Sequence, residues 1–135
     1  MSVIEWKGNF SVKIKAIDEQ HKKLVGMINV LHDAMRQGKG MAVIGITLDE
    51  LAEYTVFHFA TEEELMTRFS FPDLAAHKRE HEACVARVPE FKKKLADGSM
   101  GLSIDVISFL VDWLNHHILD VDKQYSEFLN KKGMH

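Results

Sequence analysis

Four segments of the chain repeat apolar residues at intervals of three and four, and histidines or carboxylates interrupt the apolar stripe in each. No other feature constrains the fold as much. Such a stripe is one face of an amphipathic helix and has to be covered by other helices. A carboxylate covered along with it costs on the order of several kcal/mol unless a positive group meets it.

The first segment, roughly 18–37, aligns His21, Leu24, Val25, Ile28, Leu31 and Met35, with Asp18 as the predicted N-cap and Gly38 as the C-cap. The second starts between Met41 and Thr47, where Gly45 blurs the boundary, and runs to near Phe69. Its stripe is Leu51, Tyr54, Thr55, His58, Glu62 and Leu65. The turn S-F-P-D follows, with Pro72 expected in the first turn of the third helix. That helix carries Leu74, His77, His81, Cys84, Val85, Val88, Phe91 and Leu95, and Pro89 inside it should kink it or fray its last turn. After D-G-S-M-G, Ser103 caps a fourth helix with Ile107, Leu110, Leu114, His117, Val121, Tyr125 and Phe128 on its stripe. Residues 1–17 alternate at Val12, Ile14 and Ala16 behind Trp6 and Phe10, which reads as an arm pinned to the bundle. The expectation is an all-α protein: an up-down-up-down antiparallel four-helix bundle (18–131) with an extended N-terminal arm, forming one domain over 1–135.

Composition narrows the function. A net charge of −3 with both signs interspersed argues against a nucleic-acid partner or an anionic membrane surface. Cys84 is the one cysteine, so no intramolecular disulfide forms and a reducing compartment is expected. The first ten residues lack the pattern of a secretory signal, and no run approaches the ~18 apolar residues of a membrane span. A cytoplasmic monomer with no membrane insertion follows as the expectation.

Counting brings the polar stripe residues together. His21 lies about 16 residues from the end of its helix, and His58 and Glu62 lie 15 to 18 from the start of theirs. The midpoint of His77 and His81 is 16 residues from Leu95, and that of His117 and Asp122 about 16 from Ser103. At 1.5 Å per residue every group sits ~24 Å from the same end of an antiparallel bundle. Residues four apart share a helix face. His117 and Asp122 are five apart, about 140° round an α-helix, so Asp122 must reach by bending its side chain.

A lone core histidine is ordinarily a hydrogen-bonded packing residue. Five together, with two carboxylates and no cation on the stripes at this level, are better satisfied by metal. Seven ligands exceed the four of tetrahedral zinc, and calcium and magnesium prefer oxygen donors. Mixed nitrogen and oxygen ligation of two ions suits iron, ahead of manganese or zinc. Two ferrous ions, two bridging carboxylates and one hydroxide would leave a single positive charge to bury. H-K-R-E-H at 77–81 matches a protease zinc motif, but Glu80 points off the His77/His81 face. The Glu-x-x-His pairs of ferritin-like oxidases are absent. A histidine-rich site stabilises ferrous iron and favours reversible dioxygen binding over oxygen activation.

His21, H-F-A-T-E-E-x-x-M from His58, H-x-x-x-H from His77 and W-x-x-x-H-I-x-x-x-D-x-x-Y from Trp113 together resemble the hemerythrin family, in its single-domain bacteriohemerythrin form. The resemblance spans essentially the whole chain. It implies a non-haem di-iron centre that binds dioxygen. One iron would be held by His77, His81 and His117 and the other by His21 and His58. Glu62 and Asp122 would bridge them with an oxo or hydroxo group, leaving a position open for dioxygen. Trp113 and Leu114, one turn before His117, are candidates to line the oxygen pocket, with Leu114 as its gate. Tyr125 is a candidate hydrogen-bond donor near the site, or a core tyrosine. Met66 and Cys84 read as packing residues, His116 and His135 as solvent-facing, and His32 as too far from the ligand level. The role expected is an oxygen carrier, store or delivery protein, with an oxygen-consuming enzyme as a candidate recipient, and not itself an enzyme. A sensor acting through a separate partner, or a di-iron enzyme of peroxidase or ferroxidase type, are the alternatives.

Overall fold

A computed structural model describes residues 4–38, 41–96 and 102–135. The helices are α1 (Lys15–Arg36), α2 (Met41–Arg68), α3 (Leu74–Ala96), α4 (Leu102–His116) and α5 (Asp122–Lys131); a π-helical turn, His117–Val121, joins the last two. No strand occurs among the described residues. α1 packs on α2 and α4, and α3 packs on the same two, so α4 and α5 act as the fourth rod of a closed four-helix bundle. The break at 97–101 and the side chains of Leu95, Ser103 and Val121 lie outside the described residues.

Two local expectations need correcting. α1 begins at Lys15, and Asp18 does not cap it: its carboxylate accepts the Ser11 hydroxyl (2.6 Å) and the Val12 N–H (2.8 Å). It thereby ties the arm to the first turn. Pro72 precedes α3 instead of lying in its first turn, and the Asp73 carbonyl accepts the first helical bond, from the His77 N–H (3.1 Å). α3 continues through Pro89 to Ala96, with Pro89 on the exposed side.

The two described reversals between helices are closed by left-handed residues. Gly38 (φ 69°) follows α1 as expected. After α2 the same position is taken by Ser70 (φ 56°), where the Phe71 N–H reaches back to the Met66 carbonyl (2.8 Å) and the Ser70 N–H to Thr67 (3.1 Å).

The arm is anchored by buried Phe10, Val12 and Ile14, with a 3-10 turn at Gly8–Phe10. Asn29 grips Ile4 through both its amide groups (2.8 and 3.1 Å), and Lys123 donates to the Ser11 carbonyl (2.6 Å).

Packing divides into two apolar clusters. One gathers Leu24, Ile28, Leu51, Phe91 and Leu114; the other gathers Ile17, Leu65, Met66, Phe71, Tyr125 and Leu129. On every helix the polar stripe residues fall between the two. The fold therefore places a polar layer inside an otherwise apolar interior.

Candidate metal centre

All seven side chains that counting brought to one level are buried: His21, His58, Glu62 and Asp122 are fully enclosed, and His77, His81 and His117 nearly so. Their ligand atoms form two overlapping groups. His21, His58, Glu62, His117 and Asp122 present atoms within 4.8 Å of one another, and His77, His81 and His117 do the same.

The carboxylates lie between the two sets of imidazoles. Glu62 Oε1 is 2.9 Å from His58 Nε2, 3.0 Å from His117 Nε2 and 3.4 Å from His81 Nε2. Asp122 Oδ2 is 2.9 Å from both His21 Nε2 and His117 Nε2, while Oδ1 is 3.1 Å from His77 Nε2.

These separations are short, yet several are not hydrogen bonds. Both His21 nitrogens, His58 Nε2, His81 Nε2 and Asp122 Oδ2 lack a hydrogen-bond partner although they are buried. The inward nitrogens of His21, His58 and His81 face carboxylate oxygens without a hydrogen bond, whereas those of His77 and His117 are bonded to Asp122 and Glu62. Buried polar atoms are ordinarily paired, and orphans of this kind need a cause. A cation at the point of convergence supplies one, and imidazole with carboxylate is a donor set that fits iron.

Charge is distributed accordingly in the metal-free chain. Burial opposes ionisation of Glu62, but His58 and His117 overcome it and hold its carboxyl well below the ordinary range. Burial and the Glu62 charge oppose ionisation of Asp122, yet His117 and His21 keep it lowered. Burial disfavours the His117 imidazolium, but Asp122 and Glu62 lift its pKa to about 10. His58 is lowered, chiefly by burial. Burial, Asp122 and Glu62 raise Tyr125 well above the usual phenol, so its hydroxyl stays protonated and donates to Glu62 Oε2 (2.6 Å).

The π turn explains how residues five apart can share a site. The Asp122 N–H bonds to the His117 carbonyl, closing an i→i+5 ring. One turn thus takes an extra residue, and Asp122 comes round to the face of His117. The bent side chain expected on a regular α-helix is replaced by a backbone device.

A family model described as the hemerythrin HHE cation binding domain matches residues 12–129. The chain belongs to the hemerythrin family. It is 37% identical over 131 residues to a bacteriohemerythrin of Methylococcus capsulatus, covering 96% of this chain and 99% of the relative. A bacteriohemerythrin of Stenotrophomonas maltophilia is 36% identical over 127 residues, 94% of this chain and 82% of the relative. The crystal structure of a wild-type hemerythrin superposes with a TM-score of 0.85 at 36% identity, covering 93% of this chain and 97% of that one. The four-helix architecture is that of the family.

Around this cluster stand residues the sequence reading did not single out. Gln20 Oε1 lies 2.7 Å from His58 Nδ1, and Glu63 Oε2 lies 2.8 Å from His81 Nδ1. Each partner holds its imidazole with Nδ1 as donor and Nε2 turned inward, as carboxylate and amide partners do for ligating histidines. Phe59 stacks flat on His81 (3.9 Å between ring centres, 6° apart) and Trp113 on His117 (4.7 Å, 14°). Adjacency was the available signal, since Gln20, Phe59 and Glu63 each neighbour a stripe residue. Leu114 is fully buried. Met66 and Cys84 are packed, with burial pushing the Cys84 thiol up to about 12. His116, His135 and Glu80 are exposed, and His32 is partly buried. No helix among the described residues is long and apolar enough to cross a membrane.

Proposed function

We propose that this chain binds dioxygen reversibly at a pair of iron ions and serves as an oxygen carrier, store or delivery protein. The observation that carries the reading is the placement of each carboxylate between two imidazole groups, in which the inward nitrogens of His21, His58 and His81 have no hydrogen-bond partner. His77, His81 and His117 would hold one ion, His21 and His58 the other, and Glu62 and Asp122 would bridge. Bound iron would supply reversible electron exchange with dioxygen. The chain's own groups do the rest. Gln20 and Glu63 fix two ring orientations, the Tyr125 hydroxyl steadies Glu62, and Phe59, Trp113 and Leu114 keep water from the layer. Family membership and the names of the relatives favour the same reading.

The test is to load the protein anaerobically with ferrous iron, count iron per chain, and follow visible spectra through cycles of air and vacuum. A pair of irons and a colour that comes and goes with oxygen are expected. One-way oxidation with release of peroxide, or turnover of an added reductant, would replace the carrier with a di-iron enzyme.

Leu114 is assigned as the gate. Leu114→Ala should cost roughly 2–5 kcal/mol of stability through the cavity it opens, and it should shorten the life of the oxygenated form by admitting water. Spectral decay in air measures that lifetime, and a rate equal to that of the unsubstituted chain would remove the role.

A further inference from the structure

Next to the metal layer the bundle encloses a second, separate space. It is a cavity of about 190 Å³ that all four rods help to line, through Ile28 on α1, Leu48 on α2, Val88 on α3 and Leu110 on α4. None of the seven converging side chains lines it. Among the described lining residues only Thr55, Cys84 and Trp113 carry a polar side-chain atom. The Thr55 hydroxyl is already donated to the Leu51 carbonyl (2.7 Å), and burial keeps the Cys84 thiol protonated. The space therefore offers a guest shape and apolar contact, and almost nothing to a charge.

A surface groove adjoins it. This groove, between α2 and α3, is lined by Phe59, Ala60, Glu63, His81, Glu82 and Ala86 and shares Val56 and Val85 with the cavity. Those two valines are 51% and 37% exposed, high for large apolar side chains. They line both groove and cavity.

We infer that this cavity is a binding site for an uncharged, ring-sized apolar molecule entering between Val56 and Val85. A cavity of roughly 150 Å³ with a comparable apolar lining already holds benzene, so the volume suffices for one ring. A carboxylate or ammonium on the guest would be left without a partner. Trp113 is part of the wall and stacks on His117, so a guest sits one aromatic ring away from the metal layer.

The test uses the full chain with its metal bound, and fluorobenzene as the probe, followed by fluorine NMR with benzene and benzoate as competitors. Saturable binding displaced by benzene and not by benzoate is expected. Ala52→Phe on α2 and Val88→Phe on α3 each fill the space from a different helix. Each should weaken binding about tenfold or more, with helical content checked by circular dichroism so that one folded variant suffices. Non-saturable binding, equal displacement by benzoate, or undiminished affinity in a folded variant would overturn the site. Oxygen is not part of the readout, so failure here and failure of the oxygen reading are separate results.

Discussion

Replacing Glu62 with alanine is expected to abolish uptake of the iron pair and to destabilise the metal-free chain by about 3 kcal/mol. Both effects come from the same carboxylate. Glu62 touches His58, His117 and His81 through one oxygen and accepts the Tyr125 hydroxyl through the other. Removing it leaves a buried phenol without an acceptor and the His117 imidazolium with Asp122 as its remaining carboxylate neighbour. Glu62→Gln separates the contributions. It keeps the shape and an acceptor for Tyr125 while losing the charge, so it should recover part of the stability and still fail to hold the pair. Iron analysis after desalting and urea unfolding of the chelated protein measure the two effects. A Glu62→Ala protein that retains its full iron complement would show that this carboxylate is no ligand.

Ferrous loading of the unsubstituted chain should raise its melting temperature by roughly 20 °C. Each ion present at a thousandfold over its dissociation constant adds about 4 kcal/mol to the folded state. For a chain of this size 1 kcal/mol corresponds to roughly 3 °C. The gain is large because the metal-free interior leaves the His21 nitrogens, His58 Nε2, His81 Nε2 and Asp122 Oδ2 unpartnered. Anaerobic calorimetry with and without a chelator measures the shift. A rise of only a few degrees, or an equal rise in Glu62→Ala, would mean that iron binds elsewhere.

Much of the architecture was legible because burial imposes a period. The stripes on α1 to α3 follow directly from it, and so does the level at which the seven polar residues meet, since helix rise is constant. Residues acting through a neighbour left no such trace. Glu63 and Gln20 look like solvent-facing polar residues next to the stripe, and only the approach of α3 to α2 and of α2 to α1 turns them toward His81 and His58. Phe59 also sits off the stripe, and is buried because α3 brings His81 flat against its ring. Asp18 carries every mark of an N-cap, yet the arm folds back and takes its carboxylate.

By itself the sequence determined four amphipathic rods and the height of the polar layer, because both follow from local periodicity and a fixed rise. Only the tertiary structure decided how that layer is wired. The π turn that brings Asp122 beside His117, the placement of Glu62 and Asp122 between two groups of imidazoles, and the empty space behind Trp113 all depend on how the rods pack against one another. Packing is a property of surfaces meeting across the bundle, and no periodicity along one chain encodes it.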